Sequence, residues 1–582
     1  MVAVLIALTI GLPWAGALSV WWAGDQRPRL QHALAISFSV AAGVVALALL
    51  PFTTNAVVLR LAVGGIFGDF TFVPDGLGVF LAVIATVIGS LAVIFSVDYM
   101  RGEAQLGRYY ALVLFFIGAM AGLVLTGSLL LAFVFWEITA FCSYALISFH
   151  NDDPKAVAGG IKALIMTQLG GIGLLAGALL AYASLGSYEI SLFLERASTL
   201  PPTVLSVAAF GFLVAAAAKS AQVPFHTWLP DAMEAPTPVS ALIHAATMVN
   251  AGVYLLARFY PAFASVPGWT IAVILVGVLS AILAAVMGLV STDIKRILAY
   301  STISQLGYMV YAVGVGSVFA SQFHLLSHAV FKALLFLGAG AVIHTIGTRD
   351  LRKMGGLGQK MPFVRNTFAI GALALAGLPI FNGFWSKELV LEAGLNQGPA
   401  WAYALMLIGA GITACYTFRL VWLAFFGEPR GHWHAHDAPA AMRVSLGLLT
   451  LGTLTTWLLA GPFGRLLAES LPFHHLHAEG TMMVIVEIVT APATLIALFS
   501  VMIGLAAWWW RDRLRGLEAW GRGIARAAAA DFGFEQVNRH VVSWTQTAAT
   551  ALRATQTGQL NWNMVGIVGG LVIVLAIVMW GA

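Results

Sequence analysis

The chain has 582 residues, 60% of them hydrophobic and only 9% charged. A soluble domain carries about 25% charged residues, so this composition excludes one and points to a polytopic membrane protein. The net charge of +5 would suit nucleic acid in a soluble chain, but here the basic residues lie between apolar runs and read as topology signals.

A helix needs about 20 apolar residues to cross the hydrocarbon core. In chain order, sixteen runs meet that need: 2–22, 32–52, 77–98, 108–127, 129–149, 158–184, 203–222, 238–260, 267–290, 297–317, 322–346, 363–393, 399–427, 442–467, 481–510 and 562–581. The first, Val2 to Trp22, has no basic stretch before it and no small-residue cleavage site after it, which predicts a retained span instead of a removable leader. With these spans, one side of the membrane collects Arg27, Arg29, Arg101, Arg108, Lys155, Lys295, Arg296, Arg349, Arg352, Lys353, Lys360, Arg365, Arg430 and Arg443. The other holds Arg60, Arg196, Arg258 and Arg465. Cytoplasmic connections carry the basic excess, so both termini are expected on the outer face of a cytoplasmic membrane.

Two runs hold a proline beside a lysine: Lys219 precedes Pro224, and Lys387 follows Pro379 and Gly383. Proline removes a donor and breaks a helix, and in a membrane irregular backbone survives only where it lines a cavity. The expected organisation is therefore N-terminal helices over 1–107, a first repeat over 108–260, a second over 267–427, and further helices over 428–510. Each repeat has five helices with its fourth interrupted, and an odd number inverts successive units. Residues 511–561 are rich in Ala and Arg with Trp520, Phe532, Phe534 and Trp544 interspersed. They predict an amphipathic helix lying along the cytoplasmic interface, about 75 Å long if continuous. Residues 562–582 form the final span.

An ionisable group at mid-membrane costs at least about 2.5 to 3.5 kcal/mol, so each one needs a reason. The candidates are Glu137, Lys219, His244, His324, His328, Lys332, Lys387 and Glu388. His324, His328 and Lys332 are spaced by four and share one helical face. Imidazole takes up and releases protons near neutral pH, so this stripe suits a relay between two lysines. For His244 alone, a hydrogen-bonded packing role competes evenly. If Glu137 approaches Lys219 the lysine holds its proton, and if the carboxylate swings away the proton leaves; a static ion pair is the plainer alternative. Glu388 follows Lys387, but successive helical residues point about 100° apart, so the two need not pair.

Cys142 and Cys415 lie in separate apolar runs and offer no disulfide framework or metal pair. His432, His434 and His436, and likewise His474, His475 and His477, read as solvated loops more readily than as metal ligands. Neither a GxGxxG after a strand nor a GxxxxGKS occurs, so a nucleotide site is not expected. Haem ligation by the intramembrane histidines is a rival that the relay face makes unnecessary.

The segments FVFWEITAFCSYALISF, KSAQVPFHTWLPDAMEAPTPVSALIHAATMVNAGVYLLAR, STDIKRILAYSTISQLGYM, HAVFKALLFLGAGAVIHTIGTRDLRKMGGL and GLPIFNGFWSKELVLEA closely resemble the antiporter-like subunits of complex I and its relatives. YTFRLVWLAFFGEPRG and the late QTGQLNWN make subunit L, or chain 5, the nearest likeness. The resemblance implies an all-α polytopic fold of about sixteen transmembrane helices with two inverted five-helix repeats. By the same likeness Glu137 and Lys219 are the input pair, His244, His324, His328 and Lys332 a central hydrated axis, and Lys387 the terminal donor on the exit side. Asp293 and Lys295 match a charged loop between the repeats with a local supporting role, and Pro224, Pro379 and Glu388 flank the key lysines. Gln168 and Gly171 stand where subunit L usually carries Arg and Asp, and this Gly-Gly version is closer to Mrp cation/proton antiporters and membrane-bound hydrogenases. The segment after residue 511 is also shorter than the lateral arm of typical complex I.

The expected function is that of a proton-translocating membrane subunit of a complex I-type NADH:quinone oxidoreductase, itself without redox chemistry. No cofactor or metal is expected on this chain; NADH, FMN, iron–sulfur clusters and quinone belong to partner subunits. The rivals are a subunit of an Mrp-type sodium/proton antiporter, a subunit of an energy-converting hydrogenase, and the proton channel of an inorganic-carbon accumulation system.

Overall fold

Inside a bilayer every backbone N–H and C=O must be met by the chain itself, which leaves the helix as the economical spanning element, and long apolar helices are what this sequence forms. The structure, a computed structural model, describes all residues except 55–57, 432, 514–517, 556–563, 565–567 and 573–582. It divides into two units, residues 1–522 and 523–582.

In the larger unit the helices that frame the site are α1 (Val2–Ala23), α2 (Pro28–Leu47), α3 (Gly76–Tyr99), α4 (Leu106–Leu125), α5 (Leu129–Ile147), α6 (Pro154–Leu185) and α7 (Pro202–Lys219). They are followed by α8 (Asn250–Phe263), α9 (Trp269–Val290), α10 (Ile294–Gly314), α11 (Val318–Ile346), α12 (Pro362–Ala376), α13 (Asn382–Gln397) and α14 (Ala400–Val421). Then come α15 (Ala440–Thr455), α16 (Ala460–Ser470), α17 (Thr481–Thr490) and α18 (Pro492–Trp509). A small hairpin pairs Leu59–Leu61 with Phe70–Phe72, antiparallel, Arg60 opposite Thr71.

Among the described residues, thirteen helical segments are long and apolar enough to cross a membrane, and each overlaps a different one of the predicted runs. The run at 297–317 is α10, a full helix made too polar to stand out by Ser301, Thr302, Ser304 and Gln305. The run at 363–393 is two helices, α12 and α13, of 15 and 16 residues. The run at 481–510 is not one helix but two, α17 and α18, because Pro492 opens the second. The last run, 562–581, falls largely outside the described residues.

The two predicted breaks are real and each is repaired locally. Helix α7 stops at Lys219, Ala221 takes a positive φ of 50°, and the chain continues through irregular backbone to the one-turn helices Trp228–Asp231 and Ala232–Glu234. Carbonyls left open at the end of α7 need donors; Trp228 Nε1 donates to Ala218 O at 3.0 Å and the Gln222 amide N–H to Ala217 O at 2.7 Å. The next span contains a π-helical turn, Leu242–Ala246. There the Thr247 hydroxyl donates to Leu242 O at 2.6 Å and the Asn250 side-chain amide to Ala245 O at 2.9 Å. Between α12 and α13, Gly377 and Ile380 both have positive φ, 81° and 83°. Helices α6 and α7 cross so closely that a Cβ on Gly173 would sit 2.3 Å from Gly211 O, the close approach that small residues permit in membranes.

The smaller unit contains most of α19 (Glu518–Ala529) and all of α20 (Phe534–Thr555). The single continuous helix expected over 511–561 is therefore interrupted. Asp531, Phe532 and Gly533 all have positive φ, at 49°, 50° and 84°, a backbone that no right-handed helix can pass through.

Candidate functional site

The ionisable residues singled out from the sequence lie on different helices, and packing brings them into one buried row. Glu137 is on α5, and both its carboxylate oxygens are shielded and lack a hydrogen-bond partner in the protein. Lys219, in the last turn of α7, is fully buried. Its ammonium donates to Trp136 O at 2.8 Å and lies 4.9 Å from the Trp136 ring centre. The static Glu137–Lys219 ion pair weighed from the sequence is thus not what the structure shows: the lysine rests on a neutral carbonyl.

From Lys219 the row runs past Trp228, bonded to Ala218, to His244, whose ring lies 6.3 Å from Trp228 and 5.9 Å from Phe336. His244 is fully buried in the π turn, and neither ring nitrogen has a partner in the protein. Phe336 also faces Lys332, whose ammonium is 5.5 Å from the ring centre. Lys332 donates to Leu298 O at 2.9 Å and to the Ser301 hydroxyl, both on α10. One turn back along α11 is His328, again buried with both nitrogens unpartnered, and its ring is 6.5 Å from that of His324.

His324 is wired on both sides. Its Nδ1 is 2.9 Å from the Ser386 hydroxyl and its Nε2 is 3.0 Å from the Gln305 side-chain oxygen. Ser386 also donates to Asn382 O at 3.0 Å. A hydroxyl has one proton to give, and a side-chain amide can present oxygen or nitrogen. Rotation of Ser386 and reversal of Gln305 therefore let His324 carry one proton or two with its heavy atoms fixed.

Lys387 follows Ser386 on α13 and is buried, donating to Leu375 O at 2.8 Å with Tyr308 beneath it at 5.9 Å. That carbonyl belongs to the last turn of α12, left open by the break at Pro379. Glu388 is buried as well, and its Oε2 has no partner in the protein. One turn further on α13, Glu392 lines a cavity of about 320 Å³ together with Asn396, His477, Glu479 and Glu487. None of the three lysines in the row has a carboxylate within ion-pair distance among the described residues; each leans on a carbonyl. Each can gain or lose its proton without breaking an ion pair.

Asp293 and Lys295 stand at the start of α10. Asp293 caps α10, accepting from the backbone of Lys295 at 2.8 Å and Arg296 at 3.1 Å, and its other oxygen is 3.1 Å from Arg349. Lys295 donates to Ala235 O at 2.7 Å. Arg349 grips Glu234 through two hydrogen bonds of 3.0 and 2.9 Å, and Asp231 binds both Lys162 and Arg296 at 2.7 Å. These pairs fasten the loop that follows the first break to α6, α10 and the turn after α11.

Residues 126–413, which hold the whole row, match the family model described as NADH:quinone oxidoreductase/Mrp antiporter, TM; residues 61–110 match that for complex I chain 5, N-terminus. NADH-quinone oxidoreductase subunit L of Mycobacterium tuberculosis is 38% identical over 520 residues, 86% of this chain and 81% of that one. The chain belongs to the antiporter-like subunit L family of complex I. Another family member, NAD(P)H-quinone oxidoreductase chain 5 of a Picosynechococcus strain, is 44% identical over 386 residues. That match covers 62% of this chain and 58% of the relative, so this chain spans a little over half of that longer protein. The Mrp complex from Dietzia has a chain of the same fold, with a TM-score of 0.84 and 28% identity, covering 100% of this chain and 63% of that one.

Within this antiporter-like chain, every residue singled out for proton transfer from the sequence is brought into the row, and the supporting Asp293 and Lys295 sit beside it. Several contributors were missed: Ser301, Gln305 and Ser386, which bond to the charged members, and Asp231, Glu234, Lys162 and Arg349, which hold the broken loop. A run of hydroxyl and amide residues in α10, Ser301-Thr302 and Ser304-Gln305, was the available signal. The solvated reading holds for His434 and His436, which are exposed, whereas His432 lies outside the described residues. It fails for His474, which is half-buried and donates from Nε2 to Ala257 O at 2.8 Å. Burial holds the His474 imidazole down at about 4.

Proposed function

We propose that this chain is the proton-translocating, antiporter-like membrane subunit of a complex I-type NADH:quinone oxidoreductase. Protons enter at Glu137 and Lys219, cross the membrane interior through His244, Lys332, His328 and His324, and leave from Lys387 by way of Glu388 and Glu392. NADH, FMN, iron–sulfur clusters and quinone belong to partner subunits, and redox energy reaches this chain as movement of charge and helix. The chain lies in the cytoplasmic membrane with both termini outside, its two five-helix units at 108–260 and 267–427 are inverted repeats, and the segment at 511–561 clasps neighbouring subunits.

One observation carries this reading: the segments that hold the titratable side chains also hold buried polar atoms that no protein group satisfies. Besides both nitrogens of His244 and His328, these include Gln222 Oε1, Asn250 Oδ1, Ser304 Oγ and Ser327 Oγ. Buried polar groups are almost always met by protein or by water, and each internal water makes about three bonds to such groups. Water therefore supplies the missing partners, and water between titratable groups is a path for protons.

The test is proton uptake driven by NADH in inverted membrane vesicles. Lys219→Ala and Lys387→Ala are each expected to abolish coupled proton movement while the complex still assembles. Normal pumping in both variants would defeat the reading. Co-purification separates it from a sodium/proton antiporter: iron–sulfur subunits must accompany this chain, not small membrane subunits alone.

A further inference from the structure

Two adjacent glycines of α6 do different work. A Cβ on Gly170 would strike Ala218 at 2.5 Å and the Ala215 backbone at 3.2 Å, so Gly170 serves the contact with α7. A Cβ on Gly171 would meet Glu137 Oε1 at 2.2 Å, the Glu137 carboxyl carbon at 3.4 Å and Phe133 at 3.7 Å. Gly171 is buried, whereas Gln168, one turn earlier, is exposed. The Glu137 carboxylate thus rests against bare α6 backbone, with no hydrogen bond from the protein, while Lys219 is held on the Trp136 carbonyl.

We propose that Gly171 is a positioning residue for proton entry: the space a side chain would fill there is the seat that keeps the Glu137 carboxylate off Lys219. The inference rests on the reading of Glu137 and Lys219 as the entry pair. Any side chain at position 171 evicts the carboxylate from α6, and the cation nearest to receive it is Lys219. Opposite charges in contact each hold the other in its charged form, so a closed pair stalls the hand-over. Only the flexible end of Glu137 has to move, so α6 and its packing on α7 stay as they are.

The test uses the intact complex in inverted vesicles, read by NADH-driven proton uptake and by native gel for assembly. Gly171→Ala is expected to assemble normally and to pump at least about tenfold more slowly, as small misplacements of reacting groups do. Glu137→Asp withdraws the carboxylate by one methylene, clear of the new methyl group. The double variant Gly171→Ala with Glu137→Asp should therefore regain the rate of Glu137→Asp alone. A wild-type rate in Gly171→Ala, failure of that variant to assemble, or a double variant no faster than it would each overturn the inference. Glu137→Gln is the separate control. Normal pumping there strikes the entry role of Glu137 itself, whereas loss there with a wild-type rate in Gly171→Ala strikes the role of Gly171 alone.

Discussion

The three lysines of the row share a device. Lys219, Lys332 and Lys387 each donate to a main-chain carbonyl and each lies near an aromatic face. A carbonyl accepts from either the charged or the neutral amine, so it holds the side chain in place without fixing its proton. Ser386 orients His324 in the same spirit. Ser386→Ala removes one hydrogen bond, worth about 1 kcal/mol, and is expected to slow NADH-driven proton uptake about fivefold while leaving assembly intact. An unchanged rate would mean that His324 does not carry the proton. Much of this was legible in the sequence, because charged residues in apolar runs stand out and a spacing of four marks one helical face. Ser301 and Gln305 left only the polar run in α10 as a signal and Ser386 left none, since serine and glutamine occur in membrane helices for many reasons and only tertiary packing selects these three.

Two broken helices make the row possible, and each break depends on contacts that leave no slack. A Cβ on Gly383 would lie 2.0 Å from Ala374 O, a backbone atom that cannot step aside as a side-chain end can. Gly383→Ala is therefore expected to pry α13 from α12 at a cost of about 1–3 kcal/mol, measured as a lower melting temperature of the purified complex. The segment 471–480 gives a second check at this scale. The folded His474 titrates at about 4, below its ordinary 6.5, so the unfolded state binds the extra proton first. The stability this residue contributes is complete above about pH 6.5 and is lost as pH falls toward 4. Hydrogen exchange at residues 471–480 is expected to quicken over that range, and more gently in His474→Ala. Proline beside lysine announced both intramembrane breaks. The turn at Asp531–Gly533 was hidden in an alanine- and arginine-rich stretch of good helix formers, and the division at Pro492 was masked by apolar residues on both sides.

The titratable row and the ion-pair network are built from different residues. The row is free of ion pairs among the described residues, whereas Asp231, Glu234, Asp293, Arg296 and Arg349 form a network that binds the loop after the first break to α10 and the turn after α11. Partly exposed pairs of this kind contribute about 0–1 kcal/mol each, and Asp231 makes two, so Asp231→Asn is expected to lower stability by no more than about 2 kcal/mol. Its larger effect should be on rate, because it frees the loop that fixes Lys219 from Lys162 and Arg296 together. The order of the apolar helices at this scale was legible from runs of about 20 apolar residues. The pairing of particular loops was not, because partners such as Asp231 and Arg296 are 65 positions apart.

The most direct test is a density map of the assembled complex sharp enough to show ordered water. We expect a continuous file of waters bridging Glu137, Lys219, His244, Lys332, His328, His324 and Lys387, with no step longer than a hydrogen-bonded hop. Dry, tightly packed side chains separating any two of these groups would contradict the account.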